Sequence, residues 1–421
     1  MGDDMAANAK GPLMADRAFL FIFFTRLIDA IGFGIVMPVL PSLVMEVGHM
    51  TLADATRTGG VLFITYALLQ FLCGPLMGNL SDQLGRRPII FISLAAFAID
   101  YSLMAFAPTL IWLFVGRAIA GIAGAVYAPA NAFAADVTPP DRRASAFGWL
   151  GAAFGLGFII GPALGGVVGE FGLRAPFLLA AGLAGANLVF GIFVLPESLP
   201  PERRRKLSLA RANPLGGLIA LRRYSGALGL VVAFFIFSLA FNVYPGTWSY
   251  YAQARFGWGP LMIGLSLMNS GVFMALVQAG LTGRIIGRFG DTRVAFVSIG
   301  IAILGCFAYA FAPTGWVVFV VAPFVALQAL AFPTFNAMMS KRVAPDEQGA
   351  LQGTVGSTVA LGSVIGPLIL TQVLAYFTEE GAPVRFPGAA FVLAAALMLV
   401  SLGLLALWVA RHEPVAKPQA S

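Results

Sequence analysis

The sequence predicts an all-α membrane protein with twelve transmembrane helices, built as two six-helix bundles in parallel pseudo-repeat. Three observations predict it. The 421 residues are 59% hydrophobic and only 11% charged, with a mean hydropathy of +0.87. Soluble domains carry about 25% charged residues, so no water-facing surface can be made from this composition. Twelve apolar runs reach the roughly 20 residues that a bilayer requires. The halves repeat each other at an offset of 205: Ala105-Phe106-Ala107-Pro108-Thr109 returns as Ala310-Phe311-Ala312-Pro313-Thr314. Gly78 and Gly283, Gly85 and Gly290, Pro140-Asp141 and Pro345-Asp346, Gly148 and Gly353, and Gly161-Pro162 and Gly366-Pro367 share that offset.

The expected spans are about 17–40, 59–79, 88–107, 110–132, 145–168, 174–195, 224–247, 259–282, 291–312, 315–338, 350–375 and 386–410. Three gaps are long: 41–58, the basic segment 196–223, and 376–385. Six spans per half give both halves one orientation, so the repeat axis runs along the membrane normal. The predicted domains are residues 1–195, a linker at 196–223 and residues 224–421. Of the 26 Lys and Arg, four fall in outer loops (Arg57, Arg174, Arg255, Arg385), two inside spans (Arg26, Arg117) and 20 on the other side. That bias places both termini in the cytoplasm. It accounts for the +7 net charge without nucleic acid, and Arg203–Lys206 reads as a solvated linker. The first apolar run is too long for a signal peptide. Cys73 and Cys306 stand in apolar runs, with no disulfide framework.

Ionisable groups within the hydrocarbon cost about 3 kcal/mol each on insertion scales, so the few present invite a functional reading. In order along the chain, the first span carries Asp29, three residues after Arg26. It is expected to be a protonatable group on the substrate path, or an ion pair on one helix face. The stretch Gly78-Asn79-Leu80-Ser81-Asp82-Gln83-Leu84-Gly85-Arg86-Arg87-Pro88 reads as a tight polar turn between two spans. Asp82, Arg86 and Arg87 are the gate candidates there, with a helix cap as the alternative for Asp82. Asp100 lies midway along the third span, either hydrogen-bonded to a neighbour or coupled to protons. Arg117 follows Gly116 on the fourth, where small residues allow close helix approach. The fifth span carries Gly at 151, 155, 157, 161, 165 and 166, with Pro162 as a kink. That bare face suits backbone-to-backbone packing. Asn242, Tyr244, Trp248, Tyr250 and Tyr251 near the outer end of the seventh span suit an amphipathic drug, or, for Trp248, Tyr250 and Tyr251, an interfacial aromatic belt. In the second half Gly283 to Gly290 keeps the shape of the loop, with Gly287 in place of Asp82, and its charges read as lost. No P-loop is present and both histidines lie outside the spans, so neither a nucleotide site nor an intramembrane His cluster is expected.

The loop at 78–88 resembles the loop 2–3 signature of the major facilitator superfamily. Gly157, Gly161, Pro162 and Gly165 resemble the fifth-helix signature of its drug/proton antiporters. LIDAIGFGIVMPVLPSL, YALLQF at Tyr66 to Phe71, DYSLMAFA from Asp100, FGWLGAAFGLGFIIGP from Phe147 and RFGW at Arg255 are similar to the tetracycline/proton antiporters, over nearly the whole chain. The resemblance implies a monomeric exporter in the bacterial inner membrane that exchanges a drug for protons. It implies no cofactor, the drug travelling as a magnesium chelate. It also implies Asp29, Asp100 and Arg117 as proton-coupling residues, Asp82, Arg86 and Arg87 as the cytoplasmic gate, and Tyr66, Gln70 and Gln278 beside the drug path, to which Asn242 is added. The sequence departs from the family at Ala302, where the family has an acid, and at Met274, where it has a histidine. Three alternatives stay open: a multidrug or fluoroquinolone exporter of the same fold, a nutrient symporter, and a non-transporting sensor. No catalytic constellation suggests an enzyme.

Overall fold

A computed structural model describes residues 13–15, 17–124, 127–208, 228–344 and 347–412. Among these residues there are helices and no strands. Twelve helices are long and apolar enough to cross a membrane. We number them α1 (Arg17–Gly48), α2 (Leu52–Leu84), α3 (Arg86–Phe106), α4 (Leu110–Val137), α5 (Pro140–Gly169) and α6 (Ala175–Val194) in the first half. In the second half come α7 (Leu228–Phe256), α8 (Pro260–Phe289), α9 (Asp291–Ala310), α10 (Trp316–Ser340), α11 (Gln348–Thr378) and α12 (Ala389–His412). Two residues within α4, 125 and 126, are outside the described set, as are Pro345 and Asp346 of the repeat, and Lys10, Arg211, Arg222, Arg223 and Lys417 of the charge pattern.

The chain forms two compact units: Met1–Pro214 with Ala252–Gly271, and Leu215–Tyr251 with Val272–Ser421. In the first unit α1 and α5 approach backbone to backbone. A Cβ at Gly157 would lie 2.6 Å from Leu27 O, one at Gly161 2.6 Å from Ile31 O, and one at Gly165 would collide with Ile35 O. Gly151 and Gly155 face open space, so the glycine face is narrower than the sequence suggests. Gly166 turns to the start of α8, its Cβ position 2.8 Å from Pro260 O. The second unit repeats the α1–α5 contact, with Gly366 of α11 against Leu239 O of α7 at 2.6 Å.

Two expected loops are shorter than predicted. The gap at 41–58 is helical except for 49–51, because α1 runs through Pro38 and Pro41 to Gly48. Thr51 then caps α2, its hydroxyl accepting from Asp54 N at 3.2 Å. The turn at 78–88 contracts to Gly85, with φ 109°. Gly78 is an ordinary helical residue with open space at its Cβ position, and Asp82 stands in the last turn of α2, so it does not cap a helix start. Gly290, the repeat partner of Gly85, also has positive φ, 79°. The left-handed break between two long helices, which favours glycine, is thus conserved in both halves.

Candidate transport site

The site is built from the first four helices. Asp100 on α3 is fully buried, and Arg117 on α4 reaches it with two nitrogens: Nε donates to Oδ1 at 3.2 Å and Nη2 to Oδ2. Gly116 makes this pairing sterically possible, since a Cβ there would sit 2.7 Å from Asp100 Oδ1. The guanidinium also lies over the rings of Tyr66 at 5.6 Å and Tyr101 at 5.9 Å. Gln70 Nε2 donates to the Tyr66 hydroxyl at 2.9 Å. Tyr101 in turn abuts α1, where a Cβ at Gly32 would come within 2.6 Å of its hydroxyl.

One turn before Gly32, Asp29 accepts from Arg26 Nη1 at 2.8 Å; Arg26 is 4% exposed and Asp29 19%. The ion pair expected from the i,i+3 spacing is therefore present, and Arg26 additionally lies 5.8 Å from the Phe154 ring of α5. Gly157 and Gly161 pack on α1 at Ala30 and Ile31, the residues following Asp29. The bare face of α5 thus fixes the height and rotation of Asp29. Arg26, Asp29, Asp100 and Arg117 all belong to the first unit.

At the Gly85 end, Arg86 is held by three groups: Asp82 at 2.6 Å, Ser81 at 3.1 Å and Asp136 of α4 at 3.3 Å. Arg87 donates to Ile192 O at 2.7 Å and lies 5.2 Å from the Phe91 ring. The sequence reading missed Glu197. Its carboxylate accepts from the backbone N of Arg86 at 2.9 Å and of Arg87 at 3.3 Å, capping α3. Ser198 donates to Asp136 at 3.1 Å, and Arg205 N to Asp82 O at 3.0 Å. The described start of the segment 196–223 is therefore docked on this turn through Glu197, Ser198 and the backbone N of Arg205, while the side chains of Arg203–Lys206 stay exposed, as expected of a solvated linker. The proline-acid pair Pro196-Glu197 at a span's end was the available signal, but only the fold brings it beside Gly85.

The expectation that the second half lost its loop charges is corrected. Asp291 and Lys341 stand at the repeat positions of Arg86 and Asp136, and they form an ion pair. The charges are kept with their signs exchanged. An aligned loop motif cannot reveal this, because Lys341 lies just past the far end of α10.

The aromatic residues of α7 are also reassigned. Trp248, Tyr250 and Tyr251 are buried, and Tyr251 donates to Tyr309 O. Trp248 and Tyr251 pack around Phe391 of α12 at 6.0 and 4.7 Å. They form core of the second unit, not an interfacial belt. Asn242 is buried where α7 turns, its amide bonded to Ser238 O at 2.8 Å. Gln278 is exposed on α8 and lines a cavity of 380 Å³. Among the described residues, no group of three or more His, Cys, Asp or Glu is placed to hold a metal ion.

The profile of the Major Facilitator Superfamily matches residues 22–367. The tetracycline resistance protein, class C, of Escherichia coli is 40% identical over 391 residues, 93% of this chain and 96% of that protein. The class G protein of Vibrio anguillarum is 37% identical, over 90% of this chain and 94% of its own. Among solved structures, the human organic anion transporter MFSD10 (TETRAN) superposes with a TM-score of 0.69 at 25% identity, covering 94% of this chain and all of that one. With twelve membrane-length helices and a buried charge pair between α3 and α4, the chain is a multi-pass transporter, not an enzyme, and it belongs to the major facilitator superfamily, in one family with the tetracycline resistance proteins.

Proposed function

We propose that this protein exports tetracycline-type drugs from the bacterial cytoplasm in exchange for protons. The observation that carries the reading is the buried Asp100–Arg117 pair, bracketed by Tyr66 and Tyr101, in a chain similar along nine-tenths of its length to tetracycline resistance proteins. A carboxylate sealed from water beside a guanidinium is a two-state element. Taking up a proton neutralises Asp100 and weakens its hold on Arg117; losing it restores the pair. Asp29, more exposed and likewise paired, is the second proton acceptor.

In this scheme the drug, as its magnesium chelate, enters from the cytoplasm and passes Tyr66, Gln70, Gln278 and Asn242. Protonation of Asp29 or Asp100 from outside favours release and return. Gly157, Gly161, Pro162 and Gly165 keep α1 and α5 in register, so that Asp29 moves with the bundle. Asp82, Arg86 and Arg87 form the cytoplasmic gate. The protein works by alternating access as a monomer in the inner membrane. Its six-helix halves are 1–195 and 224–421, joined by a linker at 196–223, with both termini in the cytoplasm.

The test is tetracycline uptake into inverted membrane vesicles carrying the protein, with and without a proton gradient. Uptake that requires the gradient and collapses in Asp100→Asn and Asp29→Asn supports the reading. Uptake of fluoroquinolones but not tetracycline moves the substrate to the multidrug alternative. Full gradient-driven export by both Asn variants overturns the assignment of the acids.

A further inference from the structure

The cavity in the second unit has a construction that packing alone does not require. Its wall includes Phe241, Met274, Gln278, Thr282, Phe332 and Pro333, from α7, α8 and α10. Each of these helices leaves regular α geometry beside it. α7 is interrupted at Asn242, next to Phe241. α8 widens into a π-helical segment at Val277–Leu281, which contains Gln278. α10 tightens into a 3-10 segment at Ala326–Leu330, one turn before Phe332 and Pro333. π-helical insertions cost stability and recur at functional sites. Irregular backbone at membrane depth persists where it is buried in protein or lines a cavity.

These irregularities are held in place. Val277 of the π segment packs with Ala326 and Leu330 of the 3-10 segment and with Val294 in one buried cluster. The hydroxyl of Thr282 donates to Val277 O at 3.2 Å, five residues back, beside the Thr282 backbone N–H that donates to the same carbonyl, so the widened turn is closed twice. The aromatic wall is equally fixed. Phe332 meets Phe241 edge-on at 5.2 Å and is backed by Phe234 and Phe237, both at 5.6 Å.

We infer that this cavity is a binding subsite for the planar, uncharged ring face of an aromatic drug. The aromatic edges offer the stacking geometry that such a ring prefers. Met274 adapts to its outline, and the Gln278 amide supplies both a donor and an acceptor to fix its orientation. No charged side chain lines the cavity. Its 380 Å³ stands at the low end of the roughly 300–1,000 Å³ of ligand pockets, so it takes part of a drug rather than all of it. The second unit thus grips rings, while the first carries the intramembrane charges. This inference rests on the reading of the protein as a tetracycline-type exporter.

The experiment is equilibrium binding of magnesium–tetracycline to the purified full-length protein in detergent, followed by ligand fluorescence, with thermal unfolding as a folding control. Met274→Trp fills the cavity and is expected to raise Kd at least tenfold. Gln278→Leu removes the polar anchor on an exposed position and is expected to raise it at least threefold, with the unfolding midpoint unchanged. Binding within twofold of the unaltered protein in both variants overturns the subsite. If the unaltered protein binds no tetracycline, the proposed substrate is wrong, and a fluoroquinolone and ethidium then probe the same variants. Loss of their binding upholds the subsite; retention, or binding of none of the three probes by the unaltered protein, overturns it.

Discussion

Replacing Asp100 by Asn tests the buried pair most directly. Asp100 is 0% exposed and Arg117 11%, so water does little to screen either group. Asn keeps one acceptor but presents an amide NH2 to the other guanidinium nitrogen, and it leaves the arginine charge without a counter-ion. Breaking a buried pair from one side costs about 3–5 kcal/mol. Two features lower the expected figure toward about 3 kcal/mol: Arg117 is not completely enclosed, and the Tyr66 and Tyr101 rings contribute about 0.5–2 kcal/mol of cation–π attraction each. Removing both charges, as in Asp100→Asn with Arg117→Gln, deletes the uncompensated cation and should recover most of that loss. The assay is a double-mutant cycle on unfolding in detergent, read beside proton-driven transport. Expected are a large destabilisation in each single variant, a smaller one in the double, and no transport in any of the three. Additive costs, with a coupling below about 0.5 kcal/mol, would refute the claim that the two charges stabilise one another.

Three further outcomes follow from the packing and the end-of-helix contacts. Gly161→Val places a side chain 2.6 Å from Ile31 O and 3.0 Å from Gly34 Cα, both α1 backbone, which no rotamer change relieves. It should destabilise by about 2–3 kcal/mol and abolish export, whereas Gly155→Ala on the same helix, with nothing within 4 Å, should change neither; thermal unfolding and transport rates check both. Glu197→Ala removes the carboxylate that caps α3 and should cost about 1 kcal/mol, seen as faster trypsin cleavage after Arg86, the Arg87–Pro88 bond being resistant to trypsin. Asp291→Asn and Lys341→Gln should each slow transport several-fold, and the charge reversal Asp291→Lys with Lys341→Asp should restore it only in part. A cation at the α9 N-terminus opposes the helix dipole by about 0.3–1 kcal/mol. The first half tolerates Arg86 in that place because Glu197 caps the helix, whereas a Cβ at Gly290 would find nothing within 4 Å. Full restoration, or no effect of the single changes, would count against the pair as a working element.

The class, the twelve spans and their two-fold repetition are legible in the amino-acid sequence. Each of these follows from local quantities: apolar run length set against bilayer thickness, and the recurrence of Gly-Pro punctuation at one offset. It also exposed Asp29, Asp100 and Arg117, because a charge in an apolar run stands out before any fold is known. Which of these groups meet depends on the folded chain. The Arg26–Asp29 pair was legible because three residues on a helix share a face, but Asp100 and Arg117 are 17 residues apart on different helices, and their contact depends on Gly116 letting α3 and α4 close together. Glu197 reaches the turn at Gly85 from 111 residues away from Arg86, and Lys341 crosses 50 residues to Asp291. The α7 aromatics look alike in sequence whether they line a path or fill a core. Periodicity gives a helix its faces, but the neighbour that covers each face is chosen by packing of the whole chain, and that choice made Trp248 and Tyr251 core and left Gln278 on a cavity.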